Sequence, residues 1–402
     1  MDRRPTVCLI CSDVSGDLQA GRLARAIRAL APDVCLVGMG GREMAKAGVE
    51  VAAYTTDLSF VGLPDSLRAL RPLVDVFRQG QALVRATRPD LVVLVDSETV
   101  TLPAAVWLRR QRVPVVYFFP PQVWFWGRWR LRVIKPLVRR VVSAFRPEAE
   151  LYRAAGVDTV WIGHPLRDMV RAGEDAAAAV RAIGLDPSRP LVALMPGSRQ
   201  TEVRALAEPM LAAAHMLQAR DPRLQFALPL AAEALRHDVE ERVRRSRVRD
   251  LAVYRPTSYA VLSRARVVLQ CSGTATLEVA LLGIPAVIAY RLRSLEYLVG
   301  RYLMIDVPHI GMPNILLGAM VQPEFFASRV SADDLAAEAW SLLTDEIRRR
   351  TIQSRLAELP GLLGPEGAFD RAASAIVELL PRWSMTAATS AGSADLGRRA
   401  AS

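Results

Sequence analysis

The sequence predicts an α/β protein of two domains, each a doubly wound parallel sheet. Three observations lead there. Short aliphatic runs alternate with stretches of helical spacing along both halves of the chain, the pattern of successive β-α-β units. The length of 402 residues is enough for two hydrophobic cores. With 51% hydrophobic and 23% charged residues, the composition is globular and sets aside disordered and fibrous classes.

The first half supplies its elements in order. Residues 6–11 read as a buried strand and residues 18–29 as a helix. Residues 34–37 read as a second strand ending at Gly38-Met39-Gly40-Gly41. Residues 91–95 are a purely aliphatic strand closed by Asp96, and residues 113–119 form another. Ligands of such sheets bind beyond the C-terminal strand ends, which sets residues 12–17, 38–42, 96–98 and 120–126 along one rim. The second half repeats the scheme. Residues 191–195 form a strand closed by Pro196-Gly197-Ser198-Arg199, and a helix starts near Glu202. Residues 225–229, 252–254, 267–270 and 286–289 are further strands. The boundary falls near Gly163-His164-Pro165, and residues 172–190 read as a linker with a short helix. The expected domains are residues 1–165 and 166–365, facing each other across a cleft. Residues 366–384 form a C-terminal helix packing back on the first domain, and residues 385–402, rich in Ala, Ser, Gly and Thr, a disordered tail.

The formal charge is +11, and the only lysines among 52 basic residues are Lys46 and Lys135. Such an excess favours phosphates, nucleic acid or an anionic membrane as partners. Cys8, Cys11, Cys35 and Cys271 lack metal-site spacing and are expected to be buried, reduced thiols in a cytosolic protein. His164, His215, His237 and His309 do not cluster, so no metal site is expected. The first apolar run is too short for a secretory signal.

Residues 267–290 are the most informative stretch: an apolar strand, a Ser272-Gly273-Thr274 turn, then a helix bearing Glu278. Unpaired N–H groups at a helix start attract anions, and a carboxylate slightly further on suits ribose hydroxyls. That is a nucleotide diphosphate site in the later domain. The rival is a membrane span, since the stretch carries one formal charge over about the required length. Gln270, Ser272, Thr274, Thr276 and Glu278 would be costly in lipid, and Gly283-Ile284-Pro285 breaks the helix.

Other candidates each carry a plainer alternative. Gly197 lets the backbone approach a ligand beside Ser198, and Arg199 offers paired donors to a diphosphate; the alternative is an ordinary turn with a solvated arginine. Asp96 and Glu98 follow an aliphatic strand, where partial desolvation suits a general base; spacing alone favours a helix cap. The segment from Ser12 through Asp13, Ser15, Gly16 and Asp17 is not GxGxxG. It reads as a contact for a polar ligand or as a capped turn. Trp124, Phe125, Trp126 and Trp129 adjoin Arg128, Arg132, Lys135 and Arg139, whose spacing makes one stripe of a helix with Leu131, Ile134, Val138 and Val141 on another face. That suits an anionic membrane surface; single-stranded nucleic acid and a plain solvated helix are the rivals. His164, at the hinge, is singled out as functional. Asn314 is either a ligand contact or a turn former.

Taken in order, these motifs resemble the lipid-A-disaccharide synthase family, glycosyltransferases of the GT-B fold. The likeness spans residues 7–380 and rests on the segments 15–17, 38–44, 58–67, 95–98, 120–126, 162–168, 194–203, 272–291 and 312–318. The resemblance implies transfer of 2,3-diacylglucosamine from its UDP derivative to the 6-hydroxyl of 2,3-diacylglucosamine 1-phosphate, with inversion, release of UDP and no metal cofactor. It implies Asp96 as the catalytic carboxylate and Arg199, with Gly197 and Ser198, as the diphosphate contact. Ser272, Gly273, Thr274 and Glu278 become the UDP site, with Asn314 nearby. Asp13, Ser15, Gly16, Asp17, Glu98, Gln122 and His164 fall on the acceptor rim. Phe60, Val61 and Leu63 join Trp124, Trp126, Trp129, Arg128 and Arg132 as acyl or membrane contacts. The implied partners are UDP-linked acylated glucosamine, acylated glucosamine 1-phosphate and an anionic inner-membrane surface, without nucleic acid. The implied location is the cytoplasmic face of that membrane, and a homodimer stays open.

The chain departs from the family pattern mainly in its first half. Asp13 and Asp65 stand where Glu is usual, Gln122 where Ser is usual, and the residues after Asp96 differ. Two alternatives therefore stay open: a paralogue using another lipid-linked acceptor, and a non-catalytic UDP- or lipid-binding protein.

Overall fold

The structure, a computed structural model, describes residues 4–55, 66–96, 98–124, 127–173, 175–291, 309–326 and 330–381, with the backbone alone at 66–73, 98 and 99. The chain divides into two compact units, residues 1–165 with 364–402, and residues 166–363.

The first unit is a seven-stranded parallel sheet. Its strands are β1 (Thr6–Ile10), β2 (Cys35–Gly40), β3 (Glu50–Tyr54), β4 (Leu91–Val95), β5 (Val115–Phe118), β6 (Arg140–Ser143) and β7 (Thr159–Trp161), in the order β3-β2-β1-β4-β5-β6-β7. Helices α1 (Val14–Leu30), α2 (Arg42–Lys46), α3 (Ser66–Thr87), α4 (Glu98–Arg110), α5 (Arg130–Ile134) and α6 (Arg146–Ala154) connect them. All five residues of β4 are fully buried, as a parallel strand covered on both faces must be. One layer of core sets Leu9, Val93 and Phe118 against Ala20, Leu23, Ala24 and Ile27 of α1, whose spacing of three and four makes one buried stripe. The C-terminal helix Ala368–Val377 lies in the same layer through Ala368, Ala372, Ala373 and Ile376. Small side chains on it and on α1 let the two helices approach closely. Arg371 ties it down by donating to Ile162 O at 2.8 and 2.6 Å.

The second unit is a six-stranded parallel sheet. After α7 (Leu166–Met169) and α8 (Ala176–Ala182) come β8 (Leu191–Met195), α9 (Gln200–Arg220), β9 (Gln225–Pro229), α10 (Arg236–Arg245) and β10 (Leu251–Tyr254). Then follow β11 (Ala265–Cys271), α11 (Ala275–Leu281), β12 (Ala286–Tyr290) and β13 (Glu324–Phe326). The strand order is β10-β9-β8-β11-β12-β13. Both sheets run outward in one direction from their first strand and then restart on its other side, so each has a topological switch point: β1 beside β4, and β8 beside β11.

Several sequence expectations change. The segment 128–141 is not one amphipathic helix: α5 ends at Ile134 and the chain re-enters the sheet as β6. Pro136, two residues on, has no N–H to continue the helix, and the β-branched Val141 and Val142 suit a strand. Gly38, Met39 and Gly40 lie inside β2. A Cβ on Gly38 would come within 2.3 Å of Leu9 O, and one on Gly40 within 2.2 Å of Met44 Sδ, so these glycines serve packing. The helix α1 starts four residues earlier than its apolar spacing indicated, because Asp13 caps it. Cys8, Cys11 and Cys271 are buried, but Cys35 is exposed. Residues 267–290 fold as strand, helix and strand, which overturns the membrane-span alternative. Among the described residues no helix is long and apolar enough to cross a membrane. The tail expected at 385–402 lies outside the described residues.

Candidate active site

In the first unit the chemistry gathers where β1 adjoins β4. Asp96 follows β4 directly and takes φ +53°, a left-handed conformation that costs a non-glycine residue roughly 1–3 kcal/mol. The neighbouring structure holds it there. Asp96 N–H donates to Phe118 O at 3.2 Å, and Asp96 O accepts from Thr101 Oγ1 at 3.0 Å and Tyr117 OH at 3.4 Å. The side chain of Asp96 is half-buried, and its Oδ2 accepts from Ser15 Oγ at 3.3 Å. The same hydroxyl proton is shared with Asp13 Oδ1, nearer at 3.0 Å, and that oxygen accepts from Gly16 N–H at 2.5 Å as the N-cap of α1. A Cβ on Gly16 would meet Asp13 Oδ1 at 2.8 Å, so glycine keeps this turn tight.

Asp17 has a different task. Its carboxylate accepts from Gly41 N–H at 2.8 Å, Glu43 N–H at 2.9 Å and Met44 N–H at 3.0 Å. It therefore caps α2 from inside the fold and is only 5% exposed. His164 is buried against Phe145, with ring centroids 4.8 Å apart, and burial lowers its pKa to about 3. It stands as a neutral ring near the rim, not as a proton donor at neutral pH. Trp124, expected as a membrane contact, is buried and lies 5.5 Å from the ring of Phe145. Trp129 is exposed, as are Arg128 and Arg132. Gln122 is half-buried. Phe60, Val61, Leu63 and Trp126 lie outside the described residues, as does the side chain of Glu98.

In the second unit the paired strands β8 and β11 bring two turns side by side. Gly197, at φ +127°, follows β8; a Cβ there would overlap Glu202 at 2.5 Å. Arg199 is the N-cap of α9, with a side chain 77% exposed and Nη1 3.4 Å from Glu202 Oε1. Glu202 Oε2 accepts from Ser198 N–H at 2.9 Å and Arg199 N–H at 3.1 Å. These are the N–H groups a diphosphate would seek, so a protein carboxylate holds the place of an anion at this helix start.

Beside it, Ser272 Oγ donates to Ile310 O at 2.8 Å. Gly273 and Thr274 are exposed, a Cβ on Gly273 would meet open space, and Thr274 supplies no side-chain cap to α11. Glu278, in the first turn of α11, is half-buried. Asn314 does not present its amide to a ligand. Its Nδ2 donates to Gln322 O at 2.6 Å and Glu324 Oε1 at 2.7 Å, and its Oδ1 accepts from Val321 N–H at 3.0 Å and Gln322 N–H at 2.8 Å. Two donors and two lone pairs are thereby used. Glu324 in turn accepts from Ile310 N–H at 2.9 Å and Gly311 N–H at 2.8 Å. Asn314 thus fixes the segment on which Ser272 leans.

Sequence reasoning passed over Glu148, Glu202 and Glu324. Glu202 is the third residue after the N-cap Arg199, where a capping carboxylate stands. For Glu148, Arg146-Pro147-Glu148 reads as an ordinary helix start, and only the fold reveals a carboxyl 2% exposed. Among the described residues no cluster of His, Cys, Asp and Glu has the form of a metal site.

Each unit therefore carries its polar residues at its own switch point, where open parallel sheets bind ligands. A UDP-GlcNAc 2-epimerase from Neisseria meningitidis, solved bound to UDP-GlcNAc, shares this fold at a TM-score of 0.57, with 12% identity, covering 94% of this chain and 99% of its own. A lipid-A-disaccharide synthase of Syntrophus aciditrophicus is 36% identical over 376 residues, covering 94% of this chain and 98% of the relative. One from Myxococcus xanthus is 35% identical over 382 residues, covering 95% and 99%. The profile of the family described as lipid-A-disaccharide synthetase matches residues 7–365. That span takes in both switch points, and with the two parallel sheets of the GT-B type it establishes that this chain belongs to the lipid-A-disaccharide synthase family.

Proposed function

We propose that this chain forms the lipid A disaccharide by inverting glycosyl transfer, with Asp96 as general base and the turns around Arg199 and Ser272 as the UDP site. The acceptor is 2,3-diacylglucosamine 1-phosphate and the donor is UDP-2,3-diacylglucosamine. The 6-hydroxyl oxygen of the acceptor attacks the anomeric carbon of the donor. Its proton passes to Asp96, the bond from the anomeric carbon to the diphosphate oxygen breaks, and the electron pair leaves with UDP. The observation that carries this reading is the position of Asp96 at the β1/β4 switch point, held at φ +53° with its carboxylate half-buried.

The departing diphosphate gains negative charge as the bond breaks. In this reading the exposed side chain of Arg199 and the exposed turn at Gly273 and Thr274 meet it, and preorganised donors of this kind supply much of a transfer enzyme's rate. For the diphosphate to reach the N–H groups of Ser198 and Arg199, Glu202 must turn aside. No metal ion is required in this scheme, and activity that survives chelation with EDTA supports that part of it. Loss on chelation, restored by a divalent cation, would refute it.

The exposed Trp129, Arg128 and Arg132 suit docking to an anionic lipid surface. Co-sedimentation with phosphatidylglycerol vesicles, weakened by salt and by Trp129→Ala, is the expected behaviour. The central test is mass spectrometry of products from the UDP-diacyl donor and the monosaccharide phosphate. The expected product is the β-1,6 disaccharide, with UDP released in equal amount; no product and no UDP would sink the reading.

A further inference from the structure

Glu148 stands in the first turn of α6, immediately after β6 and two strands from Asp96. It is 2% exposed. Its Oε2 lies 2.6 Å from Ser143 Oγ, while its Oε1 is buried without a hydrogen-bond partner.

Ser143 has one hydroxyl proton and two oxygen neighbours within hydrogen-bond distance. Ser143 Oγ is also 3.0 Å from Phe145 O, which accepts from Ala149 N–H at 3.0 Å as well. Phe145 N–H donates to one lone pair of Oγ at 3.3 Å. The other lone pair faces Glu148 Oε2, and all three contacts are made together only when Glu148 supplies the proton. An un-ionised acid also tolerates the lone Oε1, since a buried carboxylate oxygen without a donor is far more costly. Burial works in the same direction and pushes the Glu148 carboxyl up to about 8, with Ser143 and Arg130 opposing and Asp96 adding to the rise.

We propose that Glu148 is a positioning residue that works as an un-ionised acid: it completes the Ser143–Phe145 turn that opens α6 and keeps a second negative charge out of the field of Asp96. The proposal rests on the reading of Asp96 as the base. The charged groups facing Glu148 are Arg130 of α5, itself 2% exposed, and Asp96 at the end of β4. His164, against Phe145, is neutral. On α6 itself, Arg146 and Glu150 pair with each other at 2.9 Å on the exposed side. Ionised, Glu148 would draw the Ser143 proton to itself and away from Phe145 O, and would raise the proton affinity of Asp96 by like-charge repulsion.

The test uses the whole enzyme, wild type against Glu148→Gln and Glu148→Ala, with two readouts. Infrared spectroscopy at neutral pH is expected to show a carboxylic-acid C=O band in the wild type that Glu148→Gln lacks. Its absence from the wild type overturns the proposal. In kinetics, a Gln amide can donate to Ser143 as the acid does, so Glu148→Gln should keep kcat within about threefold, whereas Glu148→Ala should lose about tenfold in kcat with little change in KM. The wild type should lose activity as pH passes about 8, and Glu148→Gln should lack that alkaline limb. A Glu148→Gln variant as impaired as Glu148→Ala, or one that keeps the limb, overturns the proposal. Should Glu148→Ala fail to fold, the infrared band and the Glu148→Gln profile still decide. An active Asp96→Ala variant would overturn the Asp96 reading, and the infrared band reports the Glu148 proton independently of it.

Discussion

The hydroxyl of Ser15, in the first turn of α1, reaches Oδ2 of Asp96 at 3.3 Å and joins the two strands that flank the switch point of the first sheet. The contact is long and its serine exposed, so it orients the carboxylate more than it neutralises it. Asp96→Ala should lower kcat by about a hundredfold to ten-thousandfold and leave UDP affinity unchanged. Ser15→Ala removes one weak neutral bond, worth about 0.5–1.5 kcal/mol, and should cost at most about tenfold in kcat. Steady-state kinetics with calorimetric UDP binding checks both. An Asp96→Ala enzyme with near-normal turnover would falsify the assignment.

Arg199 should report on the donor alone. Its side chain is 77% exposed and its pairing with Glu202 is loose at 3.4 Å, so Arg199→Ala should shift the thermal midpoint hardly at all. UDP affinity should fall about tenfold to a hundredfold, the worth of about 1.5–3 kcal/mol for hydrogen bonds to a charged group. Glu202→Gln removes the carboxylate now held at the Ser198 and Arg199 N–H groups. UDP affinity should then stay level or rise, because one repelling charge is gone. Calorimetry on the two variants separates these outcomes, and weaker binding in Glu202→Gln would count against displacement of Glu202 by the diphosphate.

Asn314 should behave as structure. Its four hydrogen bonds are internal and its side chain is fully buried. Asn314→Ala leaves Glu324 short of a donor and two backbone N–H groups short of an acceptor, at about 1–3 kcal/mol for each unpaired buried group. The expected result is a clearly lowered thermal midpoint, with UDP affinity per folded molecule altered much less than in Arg199→Ala. A variant of normal stability with abolished UDP binding would return Asn314 to the ligand.

These contrasts show where the sequence was legible. The strands β1, β4, β8 and β11 are each built round an apolar run buried on both faces, so hydropathy marks them, and the switch points with Asp96, Arg199 and Ser272 follow from strand ends. The strands β3, β6, β7 and β13 are three to five residues long, and most of their residues are only partly buried or flank polar stretches, so no strong period identifies them. Site residues divide in the same way. Those on strand-end turns were visible because the fold places turns at the rim. Asp17, Asn314 and Glu148 owe their roles to how the chain folds round them: Asp17 caps α2 across 24 residues and more, Asn314 binds a loop seven to ten residues on, and Glu148 is buried by the sheet, none of which the local sequence shows.

His164 gives a pH prediction of definite sign. Its imidazole titrates at 6.5 when exposed, and burial lowers it to about 3 in the fold. Between those values the unfolded chain binds a proton that the folded chain does not, so protonation draws the equilibrium toward unfolding. The contribution of the neutral buried ring is whole above 6.5 and is lost as pH falls toward about 3. In that window the wild type should lose about 1.4 kcal/mol of stability per pH unit more than a His164→Gln variant, the worth of one proton. Above 6.5 the two should run parallel, because neither state then takes up a proton at this position. Carboxylates elsewhere titrate in both proteins and cancel in the difference. Denaturation curves collected across the range supply the comparison, and parallel slopes below 6.5 would mean that His164 is charged in the folded protein and that its ring is not the neutral packing element its contacts with Phe145 and Phe119 describe.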